Sequence, residues 1–174
     1  MAAETQTFTK AQAQIVKETW ELYKKDSAGN GLLFFSKIFE LEPEMRDFFP
    51  FTQDHSLPLE KNYKLKAHAL LLFKLTVDGA VALGETGTMH ALHPKLTELG
   101  KKHVGFGVIL DHFTVVKTAL LHTIKTAVSR FWTPEKTEEA VNAWSLAYDE
   151  LVTVMQAKME ATRKAAATAW ASDD

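Results

Sequence analysis

An all-α fold is what this sequence predicts, from three observations. Apolar residues recur at steps of three and four through every long segment; caps, glycine or proline stand at the breaks; and no run alternates as a half-buried strand does. No internal repeat shows, and 174 residues suit one domain that can bury a core without metal or disulfide staples.

The elements follow in order. Thr9 with Gln12 reads as a capping box, because the hydroxyl can accept from a free helix amide while Gln12 reaches back. Ile15, Val16, Trp20 and Tyr23 give that helix its apolar stripe, with Gly29 as the expected stop. Leu32, Leu33, Phe35, Ile38 and Phe39 are dense enough for a largely buried second helix, which Pro43 interrupts. Pro43, Pro50 and Pro58 punctuate a stretch of short helix and loop over 43–62. Its aromatics, Phe48, Phe49 and Phe51, fit either a core or ligand contact or a small satellite cluster.

A third helix is expected from near Asn62, with His68, Leu72, Leu75 and Gly79 on one face, and a break at Gly84, Glu85, Thr86, Gly87 and Thr88. Leu92, Leu96, Leu99 and His103 form the next stripe, closed by Val104, Gly105, Phe106 and Gly107. Another helix from about Asp111 turns Phe113, Val116, Leu120 and Ile124 inward. Thr133 and Pro134 start the last one, striped by Trp144, Tyr148, Leu151, Met155 and Met159. The domain is expected over 8–160, after a flexible segment 1–7 and before a helical or frayed extension over 161–174.

His68 and His103 each lie about 15 residues from the break between their helices, or roughly 22 Å at 1.5 Å per residue, so they reach similar heights. If those helices splay, a flat ligand can enter with one imidazole on each side, and a haem iron fits that geometry. A histidine satisfied within a core fits the same periodicity, so spacing alone leaves both readings open.

Twenty basic and 22 acidic residues leave a formal charge of −2, which implies neither nucleic acid nor an anionic membrane surface as partner. The chain has no cysteine, which excludes disulfides, thiolate metal sites and cysteine nucleophiles. No secretory signal is expected at the amino terminus and no apolar run of bilayer-spanning length, so a soluble, cytoplasmic protein is the expectation. His90 and His93 have helix-like metal spacing but stand at a turn before Pro94 without a third ligand. His55, His112 and His122 read as surface or packing residues.

Several segments, in this order and spacing, resemble the globin family, most closely the plant haemoglobins of the non-symbiotic type. They are Val-Lys-Glu-Thr-Trp-Glu from Val16, Gly-Leu-Leu-Phe-Phe-Ser-Lys-Ile-Phe-Glu from Gly31, Pro-Leu-Glu-Lys-Asn-Tyr-Lys-Leu-Lys-Ala-His-Ala from Pro58 and Leu-Gly-Lys-Lys-His from Leu99. Trp-Thr-Pro-Glu from Trp132 and Asn-Ala-Trp-Ser-Leu-Ala-Tyr-Asp-Glu-Leu-Val from Asn142 complete the set.

The resemblance implies a globin fold and a haem b cofactor. It makes His103 the proximal iron ligand and His68 the distal histidine, reversibly binding iron and acting in any catalysis. Phe49 would pack on the haem and Phe35 would be the distal aromatic, with Leu72 facing the bound gas. Val108, Phe113 and Val116 would line the pocket from below and behind. Phe51 and Leu99 complete the expected cofactor wall, and Lys64, Lys66 and Lys101 are candidates for the propionates. Ala67 and Pro50 depart from the family pattern, which bears on loop mobility because Pro50 restrains the segment beside His68.

The same resemblance implies dioxygen, nitric oxide and nitrite as ligands, a homodimer with His112 near its contact, and a cytoplasmic and also nuclear location. Three functions compete: gas binding alone, nitric oxide or nitrite redox chemistry, and a haem-free helical interaction protein. The chain carries no glycine-rich dinucleotide loop, so redox turnover needs an external electron donor or reductase.

Overall fold

The computed structural model describes residues 7–171, so most of the expected flexible segment 1–7, and residues 172–174 of the extension, lie outside the described residues. Among the described residues six α-helices form: α1 (Lys10–Lys24), α2 (Ser27–Leu41), α3 (Tyr63–Thr86), α4 (His93–Gly105), α5 (Leu110–Val128) and α6 (Pro134–Ala171). Among the described residues no strand forms.

Thr9 caps α1 as its pattern predicts. Its hydroxyl accepts from the Gln12 N–H at 3.1 Å, and the Gln12 side chain accepts from the Thr9 N–H at 2.8 Å. The helix stops at Lys24 rather than Gly29. Asp26 caps α2 instead, accepting from the Gly29 N–H at 3.0 Å. A Cβ on Gly29 would stand 2.3 Å from an Asp26 carboxylate oxygen, so this glycine makes room for the start of a helix and does not end one.

Gly84 is a second correction. α3 runs through it to Thr86 and ends at Gly87, whose φ of 74° is the left-handed turn that favours glycine. A Cβ on Gly84 would lie 2.5 Å from the Ala13 Cβ, so its bare backbone is what lets α3 approach α1. At 24 residues α3 is long and apolar enough to cross a membrane by length and composition alone, contrary to the expectation that no run came near. Its Leu65, Ala69, Phe73, Ala80 and Leu83 are instead buried against the rest of the fold.

Three short 3-10 helices, Pro43–Phe48, Pro50–Thr52 and Leu59–Lys61, fill the proline-punctuated stretch. Thr52 locks it by donating to the Arg46 carbonyl at 2.6 Å, and the Asn62 side chain ties it to α3 by donating to the Phe51 carbonyl at 2.6 Å. Asn62 also caps α3, accepting from the Leu65 N–H at 3.1 Å. The aromatic loop is therefore fastened to the start of the helix that carries His68.

The long α6 closes the core against α1, α3, α4 and α5. Its buried Trp144 donates through Nε1 to the Thr19 hydroxyl of α1, and Tyr148 donates to the Phe113 carbonyl of α5 at 3.1 Å. The helix continues unbroken past Met159 to Ala171, as an extension rather than a loop.

Tyr23 and Thr137 are exceptions to this satisfaction among the described residues. The Tyr23 ring stacks on Trp20 and Phe73 at 5.3 and 4.4 Å, yet its buried hydroxyl has no partner among the described residues. Burial also pushes its pKa well above the ordinary tyrosine value. An unpaired buried hydroxyl costs about 1–3 kcal/mol, so Tyr23→Phe is expected to raise stability by about 1 kcal/mol, read as a higher melting temperature. A lower one would mean that the hydroxyl holds a water.

Candidate functional site

A cavity of about 510 Å³ opens between α2, α3, α4, α5, α6 and the aromatic loop, a size suited to a cofactor. His103 stands on α4 and His68 on α3, and both line it. The two helices present their histidines to one space, and the break between them begins at Gly87, inside the expected stretch but after Gly84.

The two imidazoles are held differently. His103 Nδ1 lies 2.6 Å from the Leu99 carbonyl one turn back. A carbonyl only accepts, so Nδ1 carries the proton and Nε2 keeps its lone pair free. Phe113 supports the ring with a centroid distance of 5.7 Å. His68 has no hydrogen bond among the described residues; it is framed by Phe35, Phe49 and Phe51 at centroid distances of 6.0, 5.8 and 5.4 Å.

His68 is exposed by surface area and yet desolvated by those rings, because the face it leaves open is the cavity wall. Burial lowers its pKa below the usual histidine value, and His103 on the facing helix lowers it further, because two imidazoles close together disfavour a shared positive charge. Both causes favour the neutral ring. A neutral ring offers one nitrogen as a ligand and one N–H as a donor.

Phe35, Phe49, Phe51 and Leu72 line the same cavity on the His68 side, and Leu99, Val108, Phe113 and Val116 line it on the His103 side. Lys64 and Lys66 do not. Lys66 lies two positions from His68, about 200° around the helix, and donates to the Glu60 carbonyl at 2.6 Å. Lys64 is exposed one turn before His68, and Lys101 points to Glu98 at 3.8 Å. Lys95 and Lys102 supply the cations of the wall, since they lie eight residues and one residue before His103 on α4.

Residues that sequence reading did not assign also reach the cavity, among them Tyr148, Leu151 and Met155 of α6. Their stripe marked them as inward, and only the packing of α6 on α4 shows that inward here means toward the ligand. His112, read from sequence as a surface or packing residue, accepts from the Ile109 N–H at 3.3 Å, packs on Phe48 at 4.4 Å and also lines the cavity. His55 and His122 lie on the surface. The rings of His90 and His93 stand 5.0 Å apart, and among the described residues no group of three or more metal-binding side chains assembles.

The globin family model matches residues 32–155. This chain belongs to the globin family. The globin is 42% identical over 160 residues to an anaerobic nitrite reductase of Physcomitrium patens, covering 92% of this chain and 87% of that protein. It is also 42% identical to an anaerobic nitrite reductase of Gossypium hirsutum, over 94% of this chain and 98% of that one. Among solved structures, a Drosophila melanogaster globin shares the fold with a TM-score of 0.67 at 20% identity, covering 83% of this chain and 91% of its own. The haemoglobin of the botfly Gasterophilus intestinalis gives 0.69 at 18% identity, covering 86% and 97%.

Membership of this family implies a haem cofactor, and the residues fit one. The apolar walls suit a porphyrin face, His103 presents a fixed nitrogen, and Lys95 and Lys102 stand at the wall as cations that would suit its two carboxylates.

Proposed function

We propose that this globin binds haem b between His103 and His68, that His68 binds the iron reversibly, and that the loaded protein binds diatomic gases and reduces nitrite under low oxygen. The observation that carries the reading is the asymmetry of the two imidazoles. One is fixed by the Leu99 carbonyl, as a permanent ligand should be; the other has no hydrogen bond among the described residues and is held toward its neutral form by burial, as a displaceable one should be.

Bound haem would supply one-electron chemistry, by which nitrite, with one electron from an external reductant and two protons, would give nitric oxide and water. The chain's own residues prepare that chemistry. His103 would hold the group through its free Nε2. His68 keeps one proton as a donor for an anionic or partly anionic ligand. Phe35, Phe49, Phe51 and Leu72 keep water out, which strengthens that hydrogen bond. The names of the plant relatives support nitrite as the substrate, and nothing in the fold supplies the electron donor, so a separate reductase or small reductant is part of the proposal. A cytoplasmic and nuclear homodimer completes it, on the resemblance alone.

Spectra of the purified ferric, ferrous and carbonyl forms test the haem reading, and anaerobic nitrite turnover with dithionite tests the activity. The expected result is a Soret band, a six-coordinate ferrous spectrum and steady nitric oxide release. A five-coordinate ferrous spectrum would remove His68 from the iron. Haem without nitrite turnover would leave a gas carrier or sensor, and no Soret band would return the chain to a haem-free interaction protein.

A further inference from the structure

We propose that Arg163, on the stretch of α6 beyond the core, is a positioning residue for the proximal imidazole, acting through the corner between α4 and α5. This rests on the haem reading above and adds a control to it. The Arg163 guanidinium donates to the Val108 carbonyl at 2.5 Å. Val108 lines the cavity, and its own N–H donates to the His103 carbonyl at 3.0 Å. A two-bond chain thus runs from the extension to the backbone of the proximal histidine.

Packing holds the corner only in part: Phe106, Ile109 and Leu110 are 57%, 49% and 39% exposed, while Val104 and Val108 pack against the core. On the α4 side the turn is held by Phe106 N–H to the Lys102 carbonyl at 3.1 Å and Gly107 N–H to the Val104 carbonyl at 3.0 Å, and on the α5 side by Ile109 N–H to His112 Nδ1 at 3.3 Å. Those bonds belong to the two helices that the corner joins. Arg163 is what ties it to α6, and as a charged donor it is stronger than a neutral one.

A second fixture lies at the other side of His103. A Cβ on Gly100 would come 2.8 Å from the Met155 carbonyl, so α4 is pressed against the backbone of α6 there. Gly100 and Val108 straddle His103, and their partners Met155 and Arg163 are about 12 Å apart along α6. The proximal histidine therefore hangs between two points on one long helix. The first is a steric contact that cannot be released; the second is a single side chain that can.

Two substitutions test this, Arg163→Met, which keeps the stem without the donor, and Arg163→Lys, which returns a cation. The readouts are the iron–histidine stretching band of the ferrous protein, the rate of haem loss, and amide exchange over residues 104–109 in the haem-free chain. Arg163→Met is expected to shift or broaden the band and to speed both haem loss and local exchange by about tenfold, with Arg163→Lys recovering part of each. A purely structural role would change melting temperature without moving the band. An unmoved band in Arg163→Met therefore overturns the proposal, whatever happens to stability. A wild-type chain without a Soret band would sink the haem reading and this proposal with it; a wild-type Soret band beside an unmoved variant sinks this proposal alone.

Discussion

His103→Ala is expected to weaken haem retention by at least about 100-fold, because loss of a ligand costs more than loss of the partners that orient it, and those alone cost 10–100-fold. The geometry explains why the effect concentrates on this residue. Its Nδ1 proton is committed to the Leu99 carbonyl, its ring rests on Phe113, and α4 is pressed onto α6 at Gly100 three residues earlier. The imidazole is thus oriented before any ligand arrives, and little conformational entropy is lost on binding. Competition with apomyoglobin for haem measures the change. Free imidazole added to the variant should restore a proximal ligand, since the deleted ring leaves a space of its own shape between Leu99 and Phe113. Retention equal to wild type would move the ligand to His112, which lines the same cavity.

The helices and the histidine pair were legible in the sequence because they rest on periodicity, which is local. Thr9 with Gln12 and Thr133 signalled starts through cap chemistry that needs no tertiary context, and the structure forms both caps: the Thr133 hydroxyl accepts from the Lys136 N–H at 3.3 Å. The glycines were not legible. Gly29 and Gly84 look like breaks to any local rule, but each is small for the sake of a neighbour, the Asp26 carboxylate in one case and the Ala13 Cβ in the other. A missing Cβ serves a turn and a close approach equally, and only the partner decides which.

The cavity was legible in the same partial way. Phe35, His68, Leu72 and His103 lie on faces that periodicity picks out, whereas the cations at the wall depend on helical phase and depth together. Lys64 shares the face of His68 but lies a turn too early, and Lys95 and Lys102 lie within the span of α4 that the cavity reaches. The Leu99 carbonyl that fixes His103 is backbone, so no side-chain pattern could announce it. Met155 and Arg163 act on α4 from α6, more than fifty positions along the chain, and their roles exist only once the helices pack.

His68→Leu is expected to change carbon monoxide and dioxygen binding by different amounts, and the difference separates the two jobs of this residue. As an iron ligand, His68 lowers the apparent affinity for every gas by the fraction of protein left open; if nine molecules in ten are closed, removing it raises all affinities about tenfold. As a hydrogen-bond donor it favours dioxygen, which draws electron density from iron and becomes partly anionic, over carbon monoxide, which does so far less. That bond is worth ~1.5–3 kcal/mol, or about one to two powers of ten. Carbon monoxide affinity should therefore rise by the competition factor alone. Dioxygen affinity gains the same factor and loses the hydrogen bond, ending level or up to about tenfold lower. The competition factor cancels in the ratio of the two affinities, so that ratio should rise by about 10–100-fold whatever fraction is closed. Flash photolysis and equilibrium titration of wild type and variant supply both numbers. An unchanged ratio would show that the His68 N–H never reaches the bound gas; a raised ratio with unchanged carbon monoxide affinity would show that it reaches the gas without ever occupying the iron.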